Sequence, residues 1–192
     1  MTKVPSPVTL LRGYLVLLLA ERLVELVVST RNARRSLAAG GVESGRGHYR
    51  VMVVFHAAFL AACALEPLLW PRVWPRAASL AALGAALLAM ALRWWAVATL
   101  RGRWSTRIVV LPGAALVTGG PYRLLRHPNY LAVLVELLAV PLIGGAVITA
   151  VLATLGNLLL LAVRIPAEER ALGVGWPGAH PGRPAPPPRD VT

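Results

Sequence analysis

Cysteine, acidic side chains and metal-ligand spacings are what this chain has least of. Its lone cysteine, Cys63, lies inside an apolar run, which excludes a disulfide framework and a thiolate metal site. Four histidines, His48, His56, His127 and His180, include no two at metal-ligand spacing on one helix. Acidic residues number 8 against 20 Lys and Arg, leaving a formal charge of +12. No glycine-rich fingerprint follows a strand pattern and no Walker-type loop is present, so nucleotide hydrolysis and soluble doubly-wound methyl transfer have no support. A cleavable signal peptide is not expected either. The first apolar run contains Arg12, Glu21, Arg22 and Glu25, and no small-residue cleavage site follows it.

What is present is apolar length. The 192 residues suffice for one domain, and 57% of them are hydrophobic. A mean hydropathy of +0.64 is too high for a soluble chain of this size. The arginines lie between long apolar runs rather than on one soluble module, which favours a membrane bilayer over nucleic acid as the partner. These runs cover residues 8–28, 51–70, 77–100 and 131–163. The first three have the roughly 20-residue length of a membrane-crossing helix. Pro141, Gly144 and Gly145 interrupt the fourth, which reads as a helical hairpin with arms at 131–142 and 146–163. A 12-residue first arm would reach only about 18 Å against a hydrocarbon core of roughly 30 Å. It must therefore tilt, be lengthened at its Pro128 start, or be shielded by neighbours.

The expected fold is an all-α membrane protein of about five transmembrane helical arms, the last two a hairpin, with a cofactor pocket facing the cytoplasm. Residues 1–175 form one integral-membrane domain, and 176–192 a Pro/Gly-rich tail expected to be disordered. Arg31, Arg34, Arg35, Arg46 and Arg50 follow the first run, and Arg101, Arg103, Arg107, Arg123 and Arg126 follow the third. The positive-inside rule puts both segments and the C-terminus in the cytoplasm, and the N-terminus outside. Trp70, Trp74 and Trp104 are expected at the interfaces. Residues 107–111 (RIVVL), the Pro112-Gly113 turn and residues 115–118 read as a small strand–turn–strand.

Charged side chains within apolar runs are costly and usually functional. Arg22, Glu25, His56, Arg93, Glu136 and Asn157 are all expected roughly 6–10 Å below the cytoplasmic surface. Their common depth suggests a hydrated pocket open to the cytoplasm. The bland alternative is that Glu25 with Arg22, and Glu136 with Arg93, merely fix helix register.

Two polar constellations frame the hairpin. Residues 119–130 (GGPYRLLRHPNY) place Pro128 where it can open a helix but not continue one. Arg126, His127 and Asn129 then lie near the free N–H groups and positive dipole end, a natural place to hold an anion. After the second arm comes RIPAEERAL, in which Arg164 and Glu168 are four apart and would share a helix face, unless Pro166 kinks the helix between them.

Together, GPYRLLRHPNY, the apolar hairpin and Arg164…Glu168-Glu169-Arg170-Ala-Leu172 resemble the isoprenylcysteine carboxyl methyltransferase family, most strongly over residues 104–172. These integral-membrane enzymes use S-adenosylmethionine and are related to the phospholipid methyltransferases. The first half, with Glu21-Arg22…Glu25, Arg31-Asn32…Arg34 and Gly47-His48-Tyr49, is similar to a bacterial branch often associated with type III polyketide synthases. Members of that branch methylate alkylpyrones or alkylresorcinols.

The resemblance implies that Tyr122, His127, Tyr130 and Glu169 contact S-adenosylmethionine, and that Arg164 and Glu168 border the place where methyl donor and acceptor meet. It implies no metal. Where the family commonly continues with an aromatic-rich stretch over the cofactor, this chain has GVGWPGAHPGRP, with Trp176 and His180 its only rings. A shorter cover or a more loosely held cofactor follows. The expected activity is methyl transfer to a lipidic acceptor, a long-chain phenol or pyrone hydroxyl ahead of an isoprenylcysteine-like carboxylate. A membrane reductase using a nicotinamide cofactor and a non-catalytic carrier are the competing readings.

Overall fold

The computed structural model describes residues 5–173; Trp176, His180 and the tail expected at 176–192 lie outside the described residues. Five helices make up most of it: α1 (Pro7–Ala38), α2 (Arg46–Leu69), α3 (Arg76–Leu100), α4 (Pro128–Leu142) and α5 (Val147–Ala171). Two short strands, β1 (Val42–Ser44) and β2 (Ile108–Val110), complete the frame.

Tyr49–Leu69, Arg76–Arg103 and Val147–Ala171 are long and apolar enough to cross a membrane. Helix α4 is apolar but shorter, at 15 residues. It does begin at Pro128, in the first helical position, with His127 as the residue before the helix. That start is one of the means of lengthening the arm that its composition called for.

The surface is that of a membrane protein turned inside out relative to a soluble one. Val16, Val27, Val54, Leu88, Leu152 and Leu159 are exposed, while Glu25, Arg93, Glu136 and Asn157 are buried. The core is built from Leu11, Tyr14 and Leu18 of α1, Phe59 and Cys63 of α2, and Leu137, Val140 and Ile143 around α4. Helix α4 packs closely on α3 and α5. Buried Ala82, Ala86, Ala89 and Ala96 give α3 a small-residue face, which lets helix backbones approach each other.

The hairpin is present, and its turn is sterically fixed. Gly145 has φ +77°, and a Cβ there would lie about 3 Å from Trp74. Both the backbone angle and the contact require glycine.

Three expectations are corrected. First, α1 continues to Ala38, so Arg31, Arg34 and Arg35 ride on its last turns instead of on a loop. Loss of hydropathy marked the end of the apolar stretch, but not of the helix. Residues 29–36 stay helical because Ser29, Asn32, Ala33 and Ser36 form a buried face there.

Second, β2 pairs antiparallel with β1 (Val42 opposite Val110, Ser44 opposite Ile108), and not with residues 115–118. Arg107 fixes this register by a two-pronged contact with Glu43, both at 2.7 Å. Third, Trp104 is buried and does not join an interfacial belt; its carbonyl accepts from Asn32 Nδ2 at 2.9 Å.

Candidate active site

The polar residues expected at one depth do converge, but chiefly on each other. Arg22 donates to Glu25 and to Glu136, each at 2.5 Å. Arg93 donates to both oxygens of Glu25, at 2.8 Å through Nη2 and also through Nε. One ion cluster thus ties α1, α3 and α4 together. Three carboxylates, Glu21, Glu25 and Glu136, face two guanidiniums there. His56 makes no ion pair there; its Nδ1 donates to Met52 O of its own helix at 2.8 Å. The register-fixing alternative therefore describes Arg22, Glu25, Arg93 and Glu136.

The second cluster lies where α4 begins and α5 ends. The loop leading to it is seated on α3 by Gly120, whose φ is +55° and whose missing Cβ would collide with Thr99. The next residue, Pro121, is buried. Tyr122 follows, half-buried; burial raises its phenol pKa and the Glu168 charge adds to the effect, so it stays a neutral hydrogen-bonding group at neutral pH.

His127 and Tyr130 are three apart across the first turn of α4, and their rings stack at 5.3 Å with an angle of 23°. The His127 Nε2 lies 3.2 Å from Glu169 Oε1, and the exposed Arg126 reaches the same oxygen at 3.9 Å.

Tyr130 donates its hydroxyl to Glu168 and accepts from Arg164 Nε at 2.9 Å. The Arg164 guanidinium also lies 5.7 Å from the Tyr130 ring centre, within cation–π range. Helix α5 runs through Pro166 without a break, and Arg164 and Glu168 meet the same tyrosine. The proline does not part them.

Five of the six residues picked from the sequence, His127, Tyr130, Arg164, Glu168 and Glu169, thus form one contiguous group, and Tyr122 lies within electrostatic reach of it. Asn129 adds an Oδ1 that is buried without a donor. Among the described residues no group of three or more His, Cys, Asp or Glu side chains is arranged to hold a metal ion.

Residues 81–174 match the sequence profile of the isoprenylcysteine carboxyl methyltransferase family. The chain is 35% identical over 156 residues to the uncharacterized protein YpbQ of Bacillus subtilis (strain 168), covering 81% of this chain and 92% of that one. It is 29% identical over 163 residues to an uncharacterized protein of Haemophilus influenzae, covering 83% and 93%. Over residues 81–174 the chain is similar to the isoprenylcysteine carboxyl methyltransferase family. Members of this family are membrane methyltransferases that use S-adenosylmethionine. The matched stretch contains most of α3, all of α4 and α5, and every residue of the second cluster.

Three contributors were not picked from the sequence. Thr106 accepts from Arg164 Nη2 through its carbonyl at 2.5 Å, and its own N–H donates to Ser29 Oγ at 2.9 Å. The guanidinium of Arg164 is thereby indexed to α1 through two residues that carry no motif.

Glu66, near the end of α2, accepts from the backbone N–H groups of Ile148 and Thr149 at 3.1 and 2.7 Å. Arg72 donates to the same carboxylate at 2.6 Å. Glu66 caps the first turn of α5 from another helix, where a negative charge suits the dipole. A lone acid directly before Pro67, near the end of an apolar run, gave the only sequence signal for it.

Proposed function

We propose that the chain transfers a methyl group from S-adenosylmethionine to an oxygen of a lipidic acceptor, and that the cluster of His127, Tyr130, Arg164, Glu168 and Glu169 is where it does so. The observation that carries this reading is the pairing of two adjacent acids on α5 with two different partners on α4. Glu169 faces the imidazole of His127 and the guanidinium of Arg126, while Glu168 faces the phenol of Tyr130.

The donor set suits the amino-acid end of the cofactor. Its ammonium matches Glu169 and the orphaned Asn129 Oδ1; its carboxylate matches Arg126, His127 and the positive end of the α4 dipole. A zwitterion placed between Glu169 and Arg126 replaces one ion pair by two without changing the charge of the site. When bound, S-adenosylmethionine supplies an electrophilic methyl on a sulfonium. Tyr130 and Arg164 hold Glu168 in place, and most of the rate gain would come from orienting the acceptor oxygen.

The nature of the acceptor decides what Glu168 does. A phenol, with a pKa near 10, needs its proton removed as the new O–C bond forms, and Glu168 can take it. A carboxylate is already ionised and needs only a cation. Arg164 already commits Nε to Tyr130 and one Nη to Thr106, which favours the phenolic acceptor. An alkylresorcinol or alkylpyrone made by a type III polyketide synthase is our proposed substrate class; an isoprenylcysteine-like carboxylate is the alternative. We place the arginine-rich side of the bundle, with the C-terminus, in the cytoplasm. The family match over residues 81–174 favours methyl transfer over nicotinamide chemistry.

The test is transfer of labelled methyl from S-adenosylmethionine by purified protein in detergent. A long-chain alkylresorcinol, an alkylpyrone and a farnesylcysteine analogue are offered in parallel, with His127→Ala as control. Label in a phenolic lipid, lost in the control, supports the proposal. Label in farnesylcysteine alone transfers it to the carboxylate reading, and failure to bind the cofactor removes it.

A further inference from the structure

Along α1 the exposed side chains change character in a fixed order. Leu26 and Val27 are apolar and exposed; one turn later comes Thr30, and then Arg31, Arg34 and Arg35, all exposed. These six residues line a single groove of about 500 Å³. The rise from Leu26 to Arg34 is about 12 Å at 1.5 Å per residue, enough to reach from the acyl chains across a polar layer of roughly 5–7 Å.

None of the three arginines has an ion-pair partner among the described residues, whereas Arg22, Arg72, Arg93 and Arg107 all do. The opposite face of the same turns is buried and fastened. Asn32 Nδ2 donates to the carbonyls of Arg101 and Trp104 at 3.2 and 2.9 Å. Arg101 itself is held at φ +51°, the one non-glycine positive φ among the described residues, and is exposed beside Arg103 in a second groove of about 640 Å³. A strained backbone fastened to α1 through Asn32 thus presents a further exposed cation on the following loop.

We propose that this arginine-rich end of α1 is a binding site for the phosphate headgroup of an anionic phospholipid. Leu26 and Val27 lie along the acyl chains, Thr30 at the ester level, and Arg31, Arg34 and Arg35 at the phosphate. A headgroup with net negative charge matches three unpaired cations, and the apolar lower end of the groove selects a lipid over a free anion. The site is separate from the methyl-transfer cluster and does not depend on that reading.

The experiment is a titration of the full-length protein, in a neutral detergent, with fluorescent phosphatidylglycerol, phosphatidylcholine and unlabelled inorganic phosphate as competitor. Phosphatidylglycerol should bind at least tenfold more tightly than phosphatidylcholine, and millimolar phosphate should displace it poorly. The triple variant Arg31→Gln, Arg34→Gln, Arg35→Gln should bind it about 100-fold more weakly, the factor expected for three interfacial cations. Its Lys counterpart should retain most of the binding, which separates lost charge from lost folding. Equal affinity for phosphatidylcholine, ready displacement by phosphate, or unchanged binding by the Gln variant would each overturn the proposal.

Discussion

The phenol of Tyr130 donates its hydrogen to Glu168, joining the first turn of α4 to the last turns of α5, while Arg164 donates to the same phenolic oxygen. One oxygen therefore holds Arg164 and Glu168 of α5 in place. Tyr130→Phe keeps the ring that stacks on His127 and removes only the hydroxyl. Methyl transfer should fall by at least about tenfold in kcat/KM, with a stability loss of about 1–2 kcal/mol. Steady-state kinetics alongside detergent-phase denaturation checks this; unchanged kinetics would remove Tyr130 from the site.

Glu168→Gln keeps the size of the side chain and its ability to accept from Tyr130, but can no longer take a proton. It should reduce methylation of a phenolic lipid by about 100-fold or more while reducing methylation of a carboxylate lipid far less. Side-by-side rates on the two acceptors measure the difference. An equal loss with both would sink the assignment of Glu168 as base.

Breaking the ion cluster should cost stability rather than chemistry. Arg93→Met leaves Glu25 buried with only Arg22 to offset it, and should destabilise the protein by about 3–5 kcal/mol. The double variant with Glu25→Gln should recover much of that loss. Thermal unfolding of the single and double variants decides the point, and additive losses would argue against direct coupling.

Glu66→Ala removes the acceptor for Ile148 and Thr149 at the start of α5 and leaves Arg72 without its carboxylate. The expected loss is about 1–3 kcal/mol. Hydrogen exchange at those two amides should speed up selectively. Uniform acceleration along α5, or none, would show that the cap is not what holds this turn.

The features legible in the sequence were those set by near neighbours along the chain. Apolar runs marked α2, α3 and the hairpin; Pro128 marked the start of α4, and Gly144 with Gly145 marked the turn. Arg164 and Glu168 could be placed on one face because helical spacing is local. What stayed hidden was decided across the fold. β2 found β1, which lies on the far side of two helices in the chain, because Arg107 and Glu43 match there. Ser29 and Thr106 carry no signature, since their importance arises only from where α1 passes the loop before β2. Glu66 looked like an acid near a span end until the first turn of α5 supplied its donors.

The ion cluster also bears on how the protein is made. Glu25, Arg93 and Glu136 emerge from the ribosome in that order, on helices separated by long stretches of chain. Glu25 has Arg22 on its own helix, but Arg93 and Glu136 find their partners only on other helices. A lone guanidinium or carboxylate released into hydrocarbon costs about 2.5–3.5 kcal/mol on the scale of cellular insertion. The early helices are therefore expected to wait beside the insertion machinery and to leave it as a group once α4 has arrived. A chain stopped before α4, and so lacking Glu136, should integrate less completely than the full chain in a cell-free translation with membranes. Equal integration would show that Glu25 and Arg93 neutralise each other before the third helix joins them.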